Sequence, residues 1–129
     1  MSQKSLIAVV DDDPRVLESL ENLFESVGYS VATFSSGQSL LTSGLLSINC
    51  LITDIGMPGM DGFELLDIVK KARPELPVFL LTGRHEIADQ LRATGKDISG
   101  FFMKPCGGQD LLAAIDLTLS DKMEGGHDQ

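Results

Sequence analysis

Asp11, Asp12 and Asp54 are the residues of this chain best suited to chemistry, with Thr82 and Lys104 as their complement. Three carboxylates held close together in a partly dry site repel one another, and the cheapest remedies are to protonate one or to bind a cation. A hard divalent cation suits an all-oxygen site, and Mg²⁺ takes one or two carboxylates together with water and phosphate oxygens. Such a metal also lets an anionic phosphoryl group approach a carboxylate nucleophile, which can form an acyl phosphate. Lys104 offers a further cation for the transferred group, and the Thr82 hydroxyl can donate to another phosphoryl oxygen. Taken singly, each residue has a duller reading. Asp12 or Asp13 would serve as the N-cap before Pro14, Thr82 as a turn residue before Gly83, and Lys104 as a solvated surface charge. Only their joint placement favours chemistry.

That placement depends on the elements around them. Ser5 to Val10 is short, β-branched and apolar on both faces, as a strand buried in a parallel sheet is, and it stops at Asp11-Asp12-Asp13. Pro14 is a good first helical residue, and Val16, Leu17, Leu20, Leu23, Phe24 and Val27 then repeat at helical spacing until Gly28. The alternation recurs: Tyr29 to Phe34 as strand, Gln38 to Leu46 as helix, Cys50 to Thr53 as strand, Gly62 to Ala72 as helix, and Val78 to Leu81 as strand after Pro74. Glu86 to Ala93 reads as a fourth helix, Phe101 to Met103 as a fifth strand, and Asp110 to Leu119 as a fifth helix with Leu111, Leu112, Ile115 and Leu119 on one face. Five β-α units with right-handed crossovers predict a doubly wound α/β fold, a parallel sheet covered on both sides. Its working site lies at the carboxyl ends of the strands. Asp11-Asp12, Asp54, Thr82 and Lys104-Pro105 each follow a strand, so all four features open onto one rim.

Composition bounds the rest. A chain of 129 residues, 43% apolar and 22% charged, suits one soluble domain with its own core. No apolar run approaches the length a bilayer needs, and the N-terminus lacks the pattern of a secretory signal, so the expected location is the cytoplasm without a membrane partner. Ten basic against 19 acidic residues give a net charge of −9, which opposes direct binding to nucleic acid. Cys50 and Cys106 are too few for a disulfide framework or a zinc site and read as free thiols. The polar tail from Asp121 to Gln129 reads as a frayed end or a linker stub, giving one domain over 1–121 and a tail over 122–129.

These residues resemble the receiver domain of two-component response regulators over essentially the whole chain to about Asp121. Val9-Val10-Asp11-Asp12-Asp13-Pro14 is similar to its acidic start, and Asp54-Ile55-Gly56-Met57-Pro58-Gly59-Met60-Asp61-Gly62 to its phosphorylation loop. Leu81-Thr82-Gly83 is similar to its switch position and Lys104-Pro105 to its basic closure. The resemblance implies the flavodoxin-like strand order 2-1-3-4-5 of a (βα)5 fold. It implies that Asp54 accepts a phosphoryl group from a histidine kinase, a phosphotransfer protein or a small acyl phosphate. Asp12 and Asp54 would ligate Mg²⁺, with Asp11 supporting through water and the backbone carbonyl of Gly56 as a third protein ligand. Thr82 would move towards the phosphate while Phe101 rotates inward, a cis bond before Pro105 would aim Lys104, and exposed positions near Arg15, Glu18 and Ser19 would dock the kinase. The output would be a changed face of the fourth helix, fifth strand and fifth helix, through which such domains also form homodimers. Catalysis would extend only to the domain's own phosphorylation and dephosphorylation.

The chain departs from the family pattern in places. Gly56 stands where receivers usually carry a larger side chain that screens the phosphate from water, which predicts rapid loss of phosphate unless Arg84 covers the site. Residues 92–100 lack the usual Gly-Ala pair before the fifth strand, predicting an early end to the fourth helix at Gly95, and Cys106 replaces a common aromatic. Competing functions fare worse on charge logic. A haloacid-dehalogenase-type phosphatase wants a second Asp where Gly56 stands, and a flavodoxin-like carrier wants a hydroxyl- and Gly-rich loop after strand one. A degenerate receiver acting only as an interaction module is opposed by the complete set Asp12, Asp54, Thr82 and Lys104.

Overall fold

The computed structural model describes residues 5–83, 95, 97–104 and 108–127, with side chains described as far as residue 120. The helix expected at Glu86–Ala93, the flanking Arg84, Pro105 with its expected cis bond, and Cys106 lie outside the described residues. The elements are β1 (Leu6–Val10), α1 (Pro14–Ser26), β2 (Ser30–Phe34), α2 (Gly37–Ser43), β3 (Cys50–Asp54), α3 (Gly62–Ala72), β4 (Val78–Thr82), β5 (Gly100–Met103) and α4 (Gly108–His127). All neighbouring strands are parallel, in the order β2-β1-β3-β4-β5. The fold class and strand order are those the sequence implied, with four helices among the described residues.

The sheet sorts its side chains by parity, because successive residues of a strand point to opposite faces. Ala8, Val10, Leu51, Val78 and Leu80 join Leu40, Phe63, Leu65, Leu66 and Val69 of α2 and α3 in one core layer. Ile7, Val9, Cys50, Ile52, Phe79 and Leu81 join Leu20 and Phe24 of α1 and Leu111, Ile115 and Leu119 of α4 in the other. β1, β3 and β4 are thus apolar on both faces, whereas β2 and β5 at the sheet edges are only partly buried. Each fully buried Leu, Ile or Phe contributes roughly 1.5–3 kcal/mol. Two such layers outweigh the cost of burying the few carboxylates at the sheet's rim.

Helix ends follow local chemistry. Pro14 opens α1 behind the N-cap Asp13, whose side chain accepts from Arg15 N, so the capping role belongs to Asp13 and not Asp12. α2 is shorter than its apolar spacing predicted: it stops at Ser43 because Gly44 adopts φ +102°, a left-handed conformation that ends the helix. α4 is longer, running past Leu119 to His127, since Ser120 to Glu124 contains neither Pro nor Gly to stop it. Among the described residues no helix is long and apolar enough to cross a membrane.

Candidate functional site

The carboxyl ends of β1, β3 and β4 converge as the parallel topology requires, because β3 lies between the other two. Register pairs Val10 with Thr53 and Asp54 with Leu81, so Asp11 and Asp54 leave adjacent strands at nearly one level. Carboxylate oxygens of Asp11, Asp12 and Asp54 lie within 4.8 Å of one another. Asp11 and Asp54 are buried while Asp12 is exposed, the arrangement of a site open on one side.

Each member is fixed by the backbone that carries it. Asp11 N donates to Phe34 O of β2, and Asp11 Oδ1 accepts from Asp13 N at 2.9 Å. Lys104 N donates to Thr82 O at 2.6 Å, tying the basic residue after β5 to the hydroxyl residue that ends β4. The Lys104 ammonium then reaches across the rim, 2.7 Å from Asp11 Oδ2 and 3.3 Å from Asp54 Oδ1. Asp11 Oδ2 is fully buried and takes no hydrogen bond of regular geometry; the ion pair with Lys104 is what compensates it. Thr82 is buried beside them.

Charge at the site is in excess on the acidic side. Burial, then the Asp11 charge, push the Asp54 carboxyl above its ordinary pKa, and Lys104 offsets this only in part. Burial works against the Lys104 ammonium, but its hydrogen bond and charge interaction with Asp11 and Asp54 outweigh that and raise its pKa. Lys104 therefore remains a cation. Asp13 answers mainly to Arg15, whose hydrogen bonds hold its carboxyl below the usual range, with the Lys104 charge as a lesser contribution in the same direction.

A cleft of about 440 Å³ opens over Asp54, lined also by Gly56, Asp61, Thr82 and Lys104. Its floor is the loop from β3 to α3. Gly59 in that loop has φ +75°, and Asp61 caps α3 through a reciprocal pair in which Glu64 N donates to Asp61 and Asp61 N donates to Glu64. The spacing Asp61-x-x-Glu64 was legible as a capping box, yet the sequence reading assigned it no role. Gly62, which ends the loop motif and opens α3, has a further role that its place in the sequence does not show: a Cβ there would lie 2.4 Å from Asp54 O and 2.8 Å from Ile55 Cα. The start of α3 can close on the backbone of Asp54 only because that residue is Gly.

Phe101 is half-buried against the core layer that contains Leu80, its register partner on β4. Thr82 follows Leu80 by two residues, so parity puts Phe101 and Thr82 on the same face of the sheet.

The chain matches the response regulator receiver domain family over residues 7–116. It is 36% identical over 118 residues to the response regulator protein TmoT of Ectopseudomonas mendocina, covering 91% of this chain and 54% of that protein. It is 33% identical over 117 residues to the transcriptional regulatory protein FixJ of Bradyrhizobium diazoefficiens, covering 90% of this chain and 57% of that protein. The chain thus spans about half the length of these curated relatives. A crystal structure of a response regulator receiver domain protein from Clostridium thermocellum superposes with a TM-score of 0.84 at 31% identity, over 92% of this chain and 97% of that one.

Proposed function

The chain belongs to the response regulator receiver domain family, and from that membership we propose a Mg²⁺-dependent phosphoacceptor switch in which Asp54 is the nucleophile. Receiver domains are signalling domains, and the site's geometry accords with that role. The observation that carries the reading is the meeting of Asp11, Asp12 and Asp54 within 4.8 Å under the Lys104 ammonium.

Three clustered carboxylates, two of them buried and one with its pKa raised by burial and then by the others, form an oxygen donor set short of positive charge, which fits a hard divalent cation. Asp11, Asp12, Asp54 and the backbone carbonyl of Gly56 would hold it. When bound, Mg²⁺ supplies neutralisation of the carboxylate and phosphoryl oxygens. The chain's own residues do the rest. An Asp54 carboxylate oxygen attacks phosphorus in line, forming the P–O bond of an acyl phosphate as the bond to the donor's imidazole nitrogen or acyl oxygen breaks. Lys104, already 3.3 Å from Asp54 Oδ1, is placed to pair with the transferred group, and the Thr82 hydroxyl to donate to it. Phe101, on the same face as Thr82, would occupy space that Thr82 vacates.

The donor is then a histidine kinase or phosphotransfer protein, or a small acyl phosphate, met in the cytoplasm. The proposed receiver domain is residues 1–121, and α4 continues past that boundary to His127. The response is a change in the face built by β5, α4 and the helix expected at 86–93, which also serves as the homodimer surface. Regulation of an output would follow from that face and not from direct contact between this acidic domain and nucleic acid. Incubation with acetyl phosphate and Mg²⁺ followed by intact-mass measurement tests the reading. One phosphoryl group is expected on the wild type and none on Asp54→Asn. An unmodified wild type would favour a phosphorylation-independent interaction module.

A further inference from the structure

Among the described residues the buried polar side chains are Asp11, Thr53, Asp54 and Thr82, and only Thr53 has no part in the chemistry above. We propose that the Thr53 hydroxyl is a positioning group that sets the backbone of the phosphoacceptor, an inference that rests on reading Asp54 as the nucleophile.

Thr53 is fully buried in the central strand, and its register partners are Val10 of β1 and Leu80 of β4, both apolar. A hydroxyl in such surroundings costs free energy unless it is hydrogen-bonded. It bonds to the carbonyl oxygen of the next residue, with Thr53 Oγ1 donating to Asp54 O at 3.0 Å. That carbonyl belongs to the peptide plane shared with Ile55 N, which itself donates to Leu81 O of β4 at 3.0 Å. A peptide unit is planar, so holding its oxygen at one end and its N–H at the other fixes the torsions on either side. One of those torsions, ψ of Asp54, relates the carboxylate and the strand behind it to the loop that follows.

The next carbonyl is held as well. Ile55 O accepts from Met57 N at 3.1 Å and from Gly62 N at 2.9 Å, and Gly62 has no side chain to keep α3 away. Two successive peptide planes are therefore gripped immediately before Gly56, whose carbonyl is the proposed backbone ligand. A valine at position 53 would fill nearly the same volume and leave the strand apolar. It would free the Asp54 carbonyl to rotate towards another donor, and the loop carrying Gly56 would move with it.

The test compares wild type, Thr53→Val and Thr53→Ser by calorimetric titration with Mg²⁺, by the rate of phosphorylation from acetyl phosphate at saturating Mg²⁺, and by circular dichroism. Thr53→Val should fold, bind Mg²⁺ about 10-fold more weakly, as loss of a supporting hydrogen bond behind a metal site does, and accept phosphate more slowly. Thr53→Ser, which keeps the hydroxyl, should recover both. A purely structural hydroxyl would lower the melting temperature of Thr53→Val and leave metal affinity and rate at wild-type values, which would overturn the proposal. Equal losses in the Val and Ser variants would overturn it too, by assigning the effect to the γ-methyl contacts. A wild type that neither binds Mg²⁺ nor takes phosphate would remove the reading of Asp54 itself, and the inference with it. Wild-type function with an unaffected Thr53→Val would remove only the inference.

Discussion

Asp54 carries its charge against burial and against the Asp11 carboxylate, with Lys104 as partial relief. Its pKa is therefore higher in the folded chain than in the unfolded one, and the folded chain binds the proton more tightly. The stability this contributes is present below the ordinary carboxylate pKa and is lost as pH rises through the raised value. At neutral pH without metal, ionised Asp54 is a cost to the fold. Asp54→Asn, which keeps the shape and removes the charge, should then melt at a higher temperature than wild type in chelator at pH 7. The advantage should shrink as the pH is lowered and wild-type Asp54 takes up its proton. Melting curves at several pH values check this, and a lower midpoint for the variant at pH 7 would contradict it. A second residue-scale outcome concerns Gly56, exposed beside the cleft. Gly56→Ala should lengthen the life of the phosphoryl group by excluding water, read as slower loss of the added mass after acetyl phosphate is removed; an unchanged lifetime would contradict the screening role. The four polar strand ends were legible because each interrupts an apolar run. Thr53 was not, because a β-branched residue inside a strand looks like any other until its hydroxyl is seen to have a partner.

At the scale of elements, the junction of β3 with α3 decides where Asp54, the proposed nucleophile, sits. In an open helix, replacing Gly with Ala stabilises by roughly 1 kcal/mol. At Gly62 the new Cβ would meet backbone at 2.4 and 2.8 Å, and backbone cannot swing aside as a side-chain tip can. Overpacking of this kind costs roughly 1–3 kcal/mol, so the clash wins and Gly62→Ala should be destabilised by about 1 kcal/mol or more. It should also accept phosphate more slowly, since the relief is for α3 and Asp54 to move apart. Denaturant titration and the acetyl phosphate assay measure the two effects separately. An alanine variant as stable and as fast as wild type would show that the approach is not required. Sequence periodicity gave the boundaries of α1 and α3 closely, where Pro14 and the Asp61-Glu64 cap mark the starts. It overran α2 because the apolar pattern continues through Leu45 and Leu46, while the backbone turns at Gly44. Leu46 is almost wholly exposed, so its hydrophobicity marked no core position. What holds that turn is equally invisible in the pattern: Arg73, at the end of α3, donates to Leu45 O and Ile48 O across the loop.

For the whole molecule, the net charge of −9 means that every added cation at the site is favoured by the general field as well as by its ligands. A ligand bound only by the folded chain stabilises it by RT ln(1 + [L]/Kd), about 2.7 kcal/mol at 100 times Kd. That corresponds to a rise in melting temperature of roughly 5–15 °C for a domain of this size. Mg²⁺ should produce such a rise in the wild type, and chelator should reverse it. Because the proposed metal and Lys104 would compete for the Asp11 and Asp54 oxygens, the rise would report the surplus after the existing ion pairs have been loosened. Asp12 is exposed and, among the described residues, forms no ion pair with Lys104, so Asp12→Asn removes a proposed ligand without disturbing those pairs. Its melting temperature in chelator should match the wild type's within a degree or so, surface substitutions costing little, while its response to Mg²⁺ should be much smaller. A full response in Asp12→Asn would take that residue out of the metal site, and no response in the wild type would take the metal out of the mechanism.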